Sequence, residues 1–153
     1  MDVKLINPFL NSVHNIMPQL GFQNIVREGM SVKPKAFKVS GVVLMLGIVG
    51  DIKGNVVYYM DLESAKKIAS TMMMGMPVEE LDDMAKSAIS ELSNMLTANA
   101  SINFSTIGIN VNISTPTMMY GEDFEVNLNQ EQVISVKVNI DGIPMEIDIS
   151  LES

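Results

Sequence analysis

"VISVKVNIDGIPMEIDISL", Val133–Leu151, carries the clearest local pattern of the chain. Ile134, Val136, Val138 and Ile140 alternate with Ser135, Lys137 and Asn139; Asp141-Gly142 supplies a two-residue turn; Ile143, Met145, Ile147 and Ile149 alternate beyond it. A period of two puts successive side chains on opposite faces of a strand, and Asp-Gly suits the positive φ angles of a tight hairpin turn. Pairing across that turn sets Ile140 opposite Ile143, Val138 opposite Met145 and Val136 opposite Ile147. The expectation is an antiparallel hairpin with one buried side.

Working outward, strand signals begin after Gly108 in "INVNISTPTMMYG", and an earlier block from Ile25 to Met60 holds the runs "KVSGVVLMLGIVG" and "NVVYYM". These predict two or three further antiparallel strands with a turn around Asp51 to Asn55. Helical spacing appears in three places. Leu5, Ile6, Phe9, Leu10, Val13, Ile16 and Met17 recur at threes and fours, interrupted by Pro8 and stopped near Pro18 to Gly21. Asp61 can cap "LESAKKIASTMMMG", which Gly75 and Pro77 close, and a longer helix follows from about Val78 to Phe104. Helix, strands, two helices, strands is the order of an α+β fold: a mostly antiparallel sheet with helices packed on one face, here as one domain over residues 1–153.

Composition narrows the function. The chain has 153 residues with a formal charge of -8 and no Lys/Arg cluster, so the basic footprint of a nucleic-acid binder is missing. Without cysteine there is neither a disulfide framework, a thiolate metal site nor a cysteine nucleophile. The opening "MDVKLINPFL" has no basic lead into a long apolar core, and the longest apolar run, "GVVLMLGIVG", is too short for a bilayer helix. A cytoplasmic protein with no membrane partner is expected. Charged residues are only 18%, against about 25% in an average domain, which suits extensive contact with other protein.

The long helix carries one unusual pair, Glu91 and Asn94. At 100° per residue, Met84, Ala88, Leu92, Met95, Asn99 and Ile102, widened by Ala85, Ile89 and Leu96, form the expected core face. On its border Ser87, Glu91, Asn94 and Ala98 line up at spacings of four, three and four. The arc beside them, Ser90, Ser93, Thr97 and Ser101, is expected to face outward, where short side chains would let another backbone come close. A Glu and an Asn at i and i+3 are common on helix surfaces, so spacing alone decides nothing about catalysis.

The wider text of the chain resembles the CheC/CheX/FliY family of chemotaxis phosphatases. The family motif is Ser or Asp, three residues, Glu-x-x-Asn, and a small residue four later, which matches Ser87, Glu91, Asn94 and Ala98 and continues as "NMLTANA". "INPFLNSV", "GNVVYYMD", "SAKKIASTMMMGM" and "ISTPTMMYG" extend the resemblance over nearly the whole chain. Ala98 stands where many members carry glycine. One copy of the motif is visible, as in the CheX branch.

The resemblance implies hydrolysis of the phospho-aspartate of a CheY-like response-regulator receiver domain, with Asn94 orienting the attacking water and Glu91 anchoring the receiver's lysine. Ser87, Ser90 and Ala98 would be supporting or partner contacts. No cofactor of its own is implied; Mg²⁺ would belong to the receiver. It also implies a homodimer through strand edges, for which Val133–Leu151 offers a reason, since only Lys137 and Pro144 obstruct edge pairing there. The alternative is a non-catalytic receiver-binding or flagellar-switch-related scaffold, against which the intact Glu-x-x-Asn pair argues. A hydrolase with its own nucleophile is disfavoured by the lack of cysteine and the single histidine, His14, which is expected at the surface. "MMMGM", Met72–Met76, is expected to fill core space.

Overall fold

The computed structural model describes residues 2–152. Its elements run α1 (Asn7–Ile16), β1 (Ile25–Lys33), β2 (Ala36–Gly50), β3 (Lys53–Met60), α2 (Leu62–Met72), α3 (Asp83–Thr106), β4 (Val111–Ile113), β5 (Thr117–Asn127), β6 (Val133–Ile140) and β7 (Ile143–Glu152). The hairpin of β6 and β7 has the expected register, with Ile140 opposite Ile143, Val138 opposite Met145 and Val136 opposite Ile147. Asp141 and Gly142 take φ of 54° and 86°, the left-handed pair that a tight hairpin turn requires. Asp141 also reaches outside the hairpin: its carboxylate accepts from the backbone N–H of Asn24 at 2.7 Å and from that of Gln23, pinning the chain as it enters β1.

The strands form one sheet in the order β1-β6-β7-β3-β2, with β4 and β5 both paired to the outer side of β2, and the pairings are antiparallel. The expectation that Val133–Leu151 offers a free edge is overturned. β6 lies between β1 and β7, and β7 between β6 and β3, so both are interior strands. Clean alternation reports that one face of a strand is buried; it does not report which strands lie beside it. The edges are β1 on one side and β4 with β5 on the other.

The helices cover one face. Val42, Leu44, Leu46, Val56, Val136 and Ile147 point from the strands into a core completed by Phe9, Val13, Ile68, Ile89, Leu96 and Phe104. Pro8 does not interrupt α1; it stands in the first turn, where a missing N–H costs nothing. α3 begins at Asp83 and not near Val78, because Asp82 caps it by accepting from the Ala85 N–H at 2.9 Å. Among the described residues no helix is long and apolar enough to cross a membrane.

The opposite face is only partly open. The start of β2 and the end of β5 pair as an arm, Phe37 opposite Val126 and Val39 opposite Phe124, with a register break between Val39 and Gly41. Gly41 has φ of 134°, and a Cβ there would lie 2.6 Å from the Met60 carbonyl oxygen, so the break needs glycine. Phe37, Val39, Phe124 and Val126 meet Val43, Val57 and Val133 in a second apolar cluster. This corrects the one-sided hairpin. Ser135, Asp148 and Ser150, on the face expected to be wet, are fully buried.

Candidate functional site

α3 is seated by its small and hydroxylic residues. Its buried face is Ala85, Ile89, Leu92, Ser93, Leu96, Thr97, Ala100 and Phe104. Ser93 Oγ donates to the Ser90 carbonyl at 2.7 Å and Thr97 Oγ1 to the Ser93 carbonyl at 2.8 Å, so both hydroxyls are satisfied within the helix and can be buried. Thr97 also meets Tyr58 Oη of β3 at 2.9 Å. Burial pushes the Tyr58 hydroxyl far above its ordinary value, which keeps it protonated and the link neutral. At the C-terminal end Phe104 packs edge-on to Phe9, and Asn103 Nδ2 donates to the Pro8 carbonyl at 2.9 Å, locking α3 to α1.

Two sequence expectations change here. Ser93 and Thr97, expected to face outward, are buried, whereas Met84 and Ile102, expected in the core, are 61% and 60% exposed. The buried arc is therefore rotated by roughly a quarter turn from the arc that hydrophobicity alone selects. The cause is the pair of self-satisfied hydroxyls, which lets short polar residues lie against the sheet. The consequence concerns the stripe: Ser87, Glu91, Asn94 and Ala98 lie opposite the buried arc, not on its border.

Glu91 and Ser87 are exposed, while Ser90, Asn94 and Ala98 are half-buried. Among the described residues, neither the Glu91 nor the Asn94 side chain has a hydrogen-bond or ion-pair partner. Ser87, Ser90, Glu91 and Asn94 line one groove of about 780 Å³, together with Asp83 and Lys86; Ala98 lies one turn beyond it. The far wall is Thr115, Pro116, Met118 and Tyr120, from the approach to β5 and its first residues. Lys86 joins the two walls: its Nζ donates to Tyr120 Oη at 2.8 Å and lies 4.2 Å from the centre of that ring. That hydrogen bond raises the Lys86 pKa above its ordinary value, and Lys86 is the one cation among the groove residues.

Lys86 and Tyr120 were not legible as site residues. Tyr120 lies 34 positions from Lys86, and only the phrase "ISTPTMMYG" pointed towards that wall. His14 is exposed on α1, as expected. The methionine run divides: Met72 and Met73 pack against the core, while Met74 and Met76 are exposed. Among the described residues no three His, Cys, Asp or Glu side chains gather as a metal site.

Residues 42–139 match the family model described as chemotaxis phosphatase CheX. The chain is 32% identical over 135 residues to the CheY-P phosphatase CheX of Thermotoga maritima, an alignment covering 82% of this chain and 81% of that protein. Its fold is that of a CheC-like superfamily protein from Shewanella sp. PV-4, with a TM-score of 0.87 and 24% identity over the whole of both chains. It is also that of CheX in the CheX-CheY-BeF3-Mg²⁺ complex from Borrelia burgdorferi, with a TM-score of 0.80 and 22% identity over 99% of this chain and 100% of that one. With a profile that spans most of its length and a relative of this identity, the chain belongs to the CheX family of chemotaxis phosphatases.

Proposed function

We propose that this chain hydrolyses the phospho-aspartate of a CheY-like receiver domain, with Asn94 orienting the attacking water and Glu91 anchoring the receiver's active-site lysine. The observation that carries this reading is the state of the pair. Both side chains stand on the face of α3 opposite the core, over a groove, with their hydrogen-bonding capacity uncommitted. The Thermotoga maritima relative is named for this reaction, and the Borrelia burgdorferi neighbour was captured with CheY and BeF3, a stand-in for a phosphoryl group.

Acyl-phosphate hydrolysis asks the protein mainly to position a water in line with the leaving carboxylate and to stabilise charge. An amide suits the first task. Its oxygen accepts a hydrogen bond from the water and its nitrogen donates one to a water lone pair, with no titration at neutral pH. Glu91, one turn earlier, offers a carboxylate to an ammonium, which orients the two proteins. Ser87 and Ser90 are contacts along the same groove, and Ala98 keeps the next turn low enough for a partner's backbone. Mg²⁺ belongs to the receiver in this reading, and this chain brings no cofactor.

The test is the decay of phosphorylated CheY-like receivers from the same cell, with and without the protein. Wild type accelerates it, Asn94→Ala loses the acceleration but still binds, and Glu91→Lys loses binding as well. An Asn94→Ala variant that keeps wild-type turnover on every receiver would sink the mechanism.

We further propose that the protein is cytoplasmic and pairs with a second copy through a strand edge. β1 supports this: among the described residues it pairs only with β6, so its other side presents free backbone groups, and Val26, Met30 and Val32 are 55%, 42% and 68% exposed along it. Sedimentation at micromolar concentration that finds only a 16.8 kDa species would remove the dimer.

A further inference from the structure

We infer that Met84 and Ile102 are the two apolar anchors of a receiver-docking face on α3, with the Glu91/Asn94 pair at its centre. The inference rests on the receiver-phosphatase reading above and adds what holds the receiver in place.

Met84 and Ile102 are the large apolar side chains that α3 leaves exposed, at 61% and 60%. At 100° per residue, both fall within about 40° of Glu91 and Ala98, on the side of the helix away from the core. They stand 18 residues apart, about 27 Å at 1.5 Å per residue, and the midpoint falls between Glu91 and Asn94. A standard interface covers about 800 Å² of each partner, a disc roughly 32 Å across, so one partner seated on the pair reaches both ends.

The face between the anchors is unusually easy to dehydrate. α3 carries charge only at Asp83, Lys86 and Glu91, and no charged residue follows until Glu122. The line between the anchors is instead Ser87, which is exposed, and the half-buried Asn94 and Ala98, short side chains that shed water at low cost and leave the helix backbone approachable. Isolated exposed apolar residues need no explanation. Two placed symmetrically about an uncommitted polar pair, on an otherwise charge-poor crest, have the form of apolar contacts around a polar centre. The occupant is a receiver and not a second copy of this chain. A two-fold contact along this line would cover Glu91 and Asn94 with their own copies, setting like charges together, whereas a receiver brings a lysine and a phosphoryl group to Glu91 and to the Lys86 side of the groove.

The experiment uses the full chain and CheY from the same organism, phosphorylated by acetyl phosphate for turnover and held as its beryllofluoride adduct for binding. Met84→Ala, Ile102→Ala and the double variant should fold as wild type does, since both sites are exposed and alanine is the best helix former. Each single change should raise KM and the dissociation constant on the order of tenfold, with kcat held within about twofold. Val49→Ala, 58% exposed near the end of β2 and outside both proposed interfaces, should leave KM unchanged. The inference is overturned if the folded double variant binds and turns over as wild type does, if it lowers kcat at unchanged KM, or if its main effect is to split a dimer. The two proposals fail separately: Asn94→Ala with full turnover removes the hydrolytic role of the pair, while the docking face is judged by the binding of the double variant alone.

Discussion

Glu91 on α3 and Asp148 on β7 are carboxylates on opposite sides of one sheet, and their surroundings differ in every respect that matters for use. Glu91 is exposed and has no partner among the described residues. Asp148 is fully buried beneath the arm, with its Oδ2 3.2 Å from Lys33 Nζ, which also binds Glu146 and lies 4.2 Å from the centre of the Phe37 ring. Burial first, and then the Glu146 carboxylate, push the Asp148 pKa up to about 7 against the opposing pull of Lys33. Burial acts to lower Lys33, but the hydrogen bond to Glu146 and the charge of Asp148 outweigh it, so its pKa lies above the ordinary value. One ammonium thus serves two carboxylates, and near neutrality the more buried of them tends to keep a proton. Ser135 lies across β6–β7 from Asp148, and as arranged its Oγ and Asp148 Oδ1 are buried without a hydrogen-bond partner among the described residues. A carboxylate committed inside the fold sets stability; one left uncommitted on a crest is available to a partner.

The sharpest break between the two regions is expected from Asn94→Asp, which keeps the shape of the side chain but removes its donor and adds charge where the proposed reaction places a phosphoryl group. Turnover should fall roughly a hundredfold or more, with an unchanged melting temperature. An active Asn94→Asp enzyme, or one that melts early, would merge the regions that this comparison separates. Lys33→Met should do the reverse, removing roughly 2 kcal/mol of stability at pH 8 while folded molecules keep their turnover, because it strands two buried or half-buried carboxylates. Urea unfolding and turnover of the same sample decide it, and a loss of turnover without a loss of stability would count against a structural role.

The pH dependence sharpens the contrast further. The folded pKa of Asp148 lies above the ordinary 3.8, so between about pH 4 and 7 the folded state holds a proton that the unfolded chain has released. The stabilisation this group contributes is full below the unfolded value and is lost as pH rises through about 7. Asp148→Asn should therefore flatten the decline of the urea midpoint between pH 5 and pH 8, and parallel profiles for the two proteins would show that Asp148 does not titrate there. The smallest effect belongs to Tyr58→Phe, about 1 kcal/mol from the lost hydrogen bond to Thr97, which still donates to the Ser93 carbonyl.

Legibility followed the range of the interaction. The hairpin register was readable because Asp141-Gly142 and two alternating rows lie within nineteen consecutive residues, where turn chemistry and period together admit one pairing. The Glu91 and Asn94 stripe was readable as a line because helix geometry is local, but its angle to the core was not. Hydrophobicity assigns Met84 and Ile102 inward and Ser93 and Thr97 outward. The reverse holds because two hydroxyls donate to carbonyls of their own helix and Tyr58, far away in sequence, donates to one of those hydroxyls.

What the sequence determined by itself was the kind of fold, the hairpin and the presence of one uncommitted-looking acid and amide on a long helix, all consequences of periodicity and short-range chemistry. Only the tertiary structure decided that β6 is flanked by β1, that the arm of β2 and β5 buries Asp148 with Lys33, and that Lys86 and Tyr120 meet across the groove. Each of those contacts joins segments tens of residues apart or more. Nothing in the residues beside a given position specifies which distant strand will be its neighbour; that is settled by the common burial of apolar faces across the whole chain.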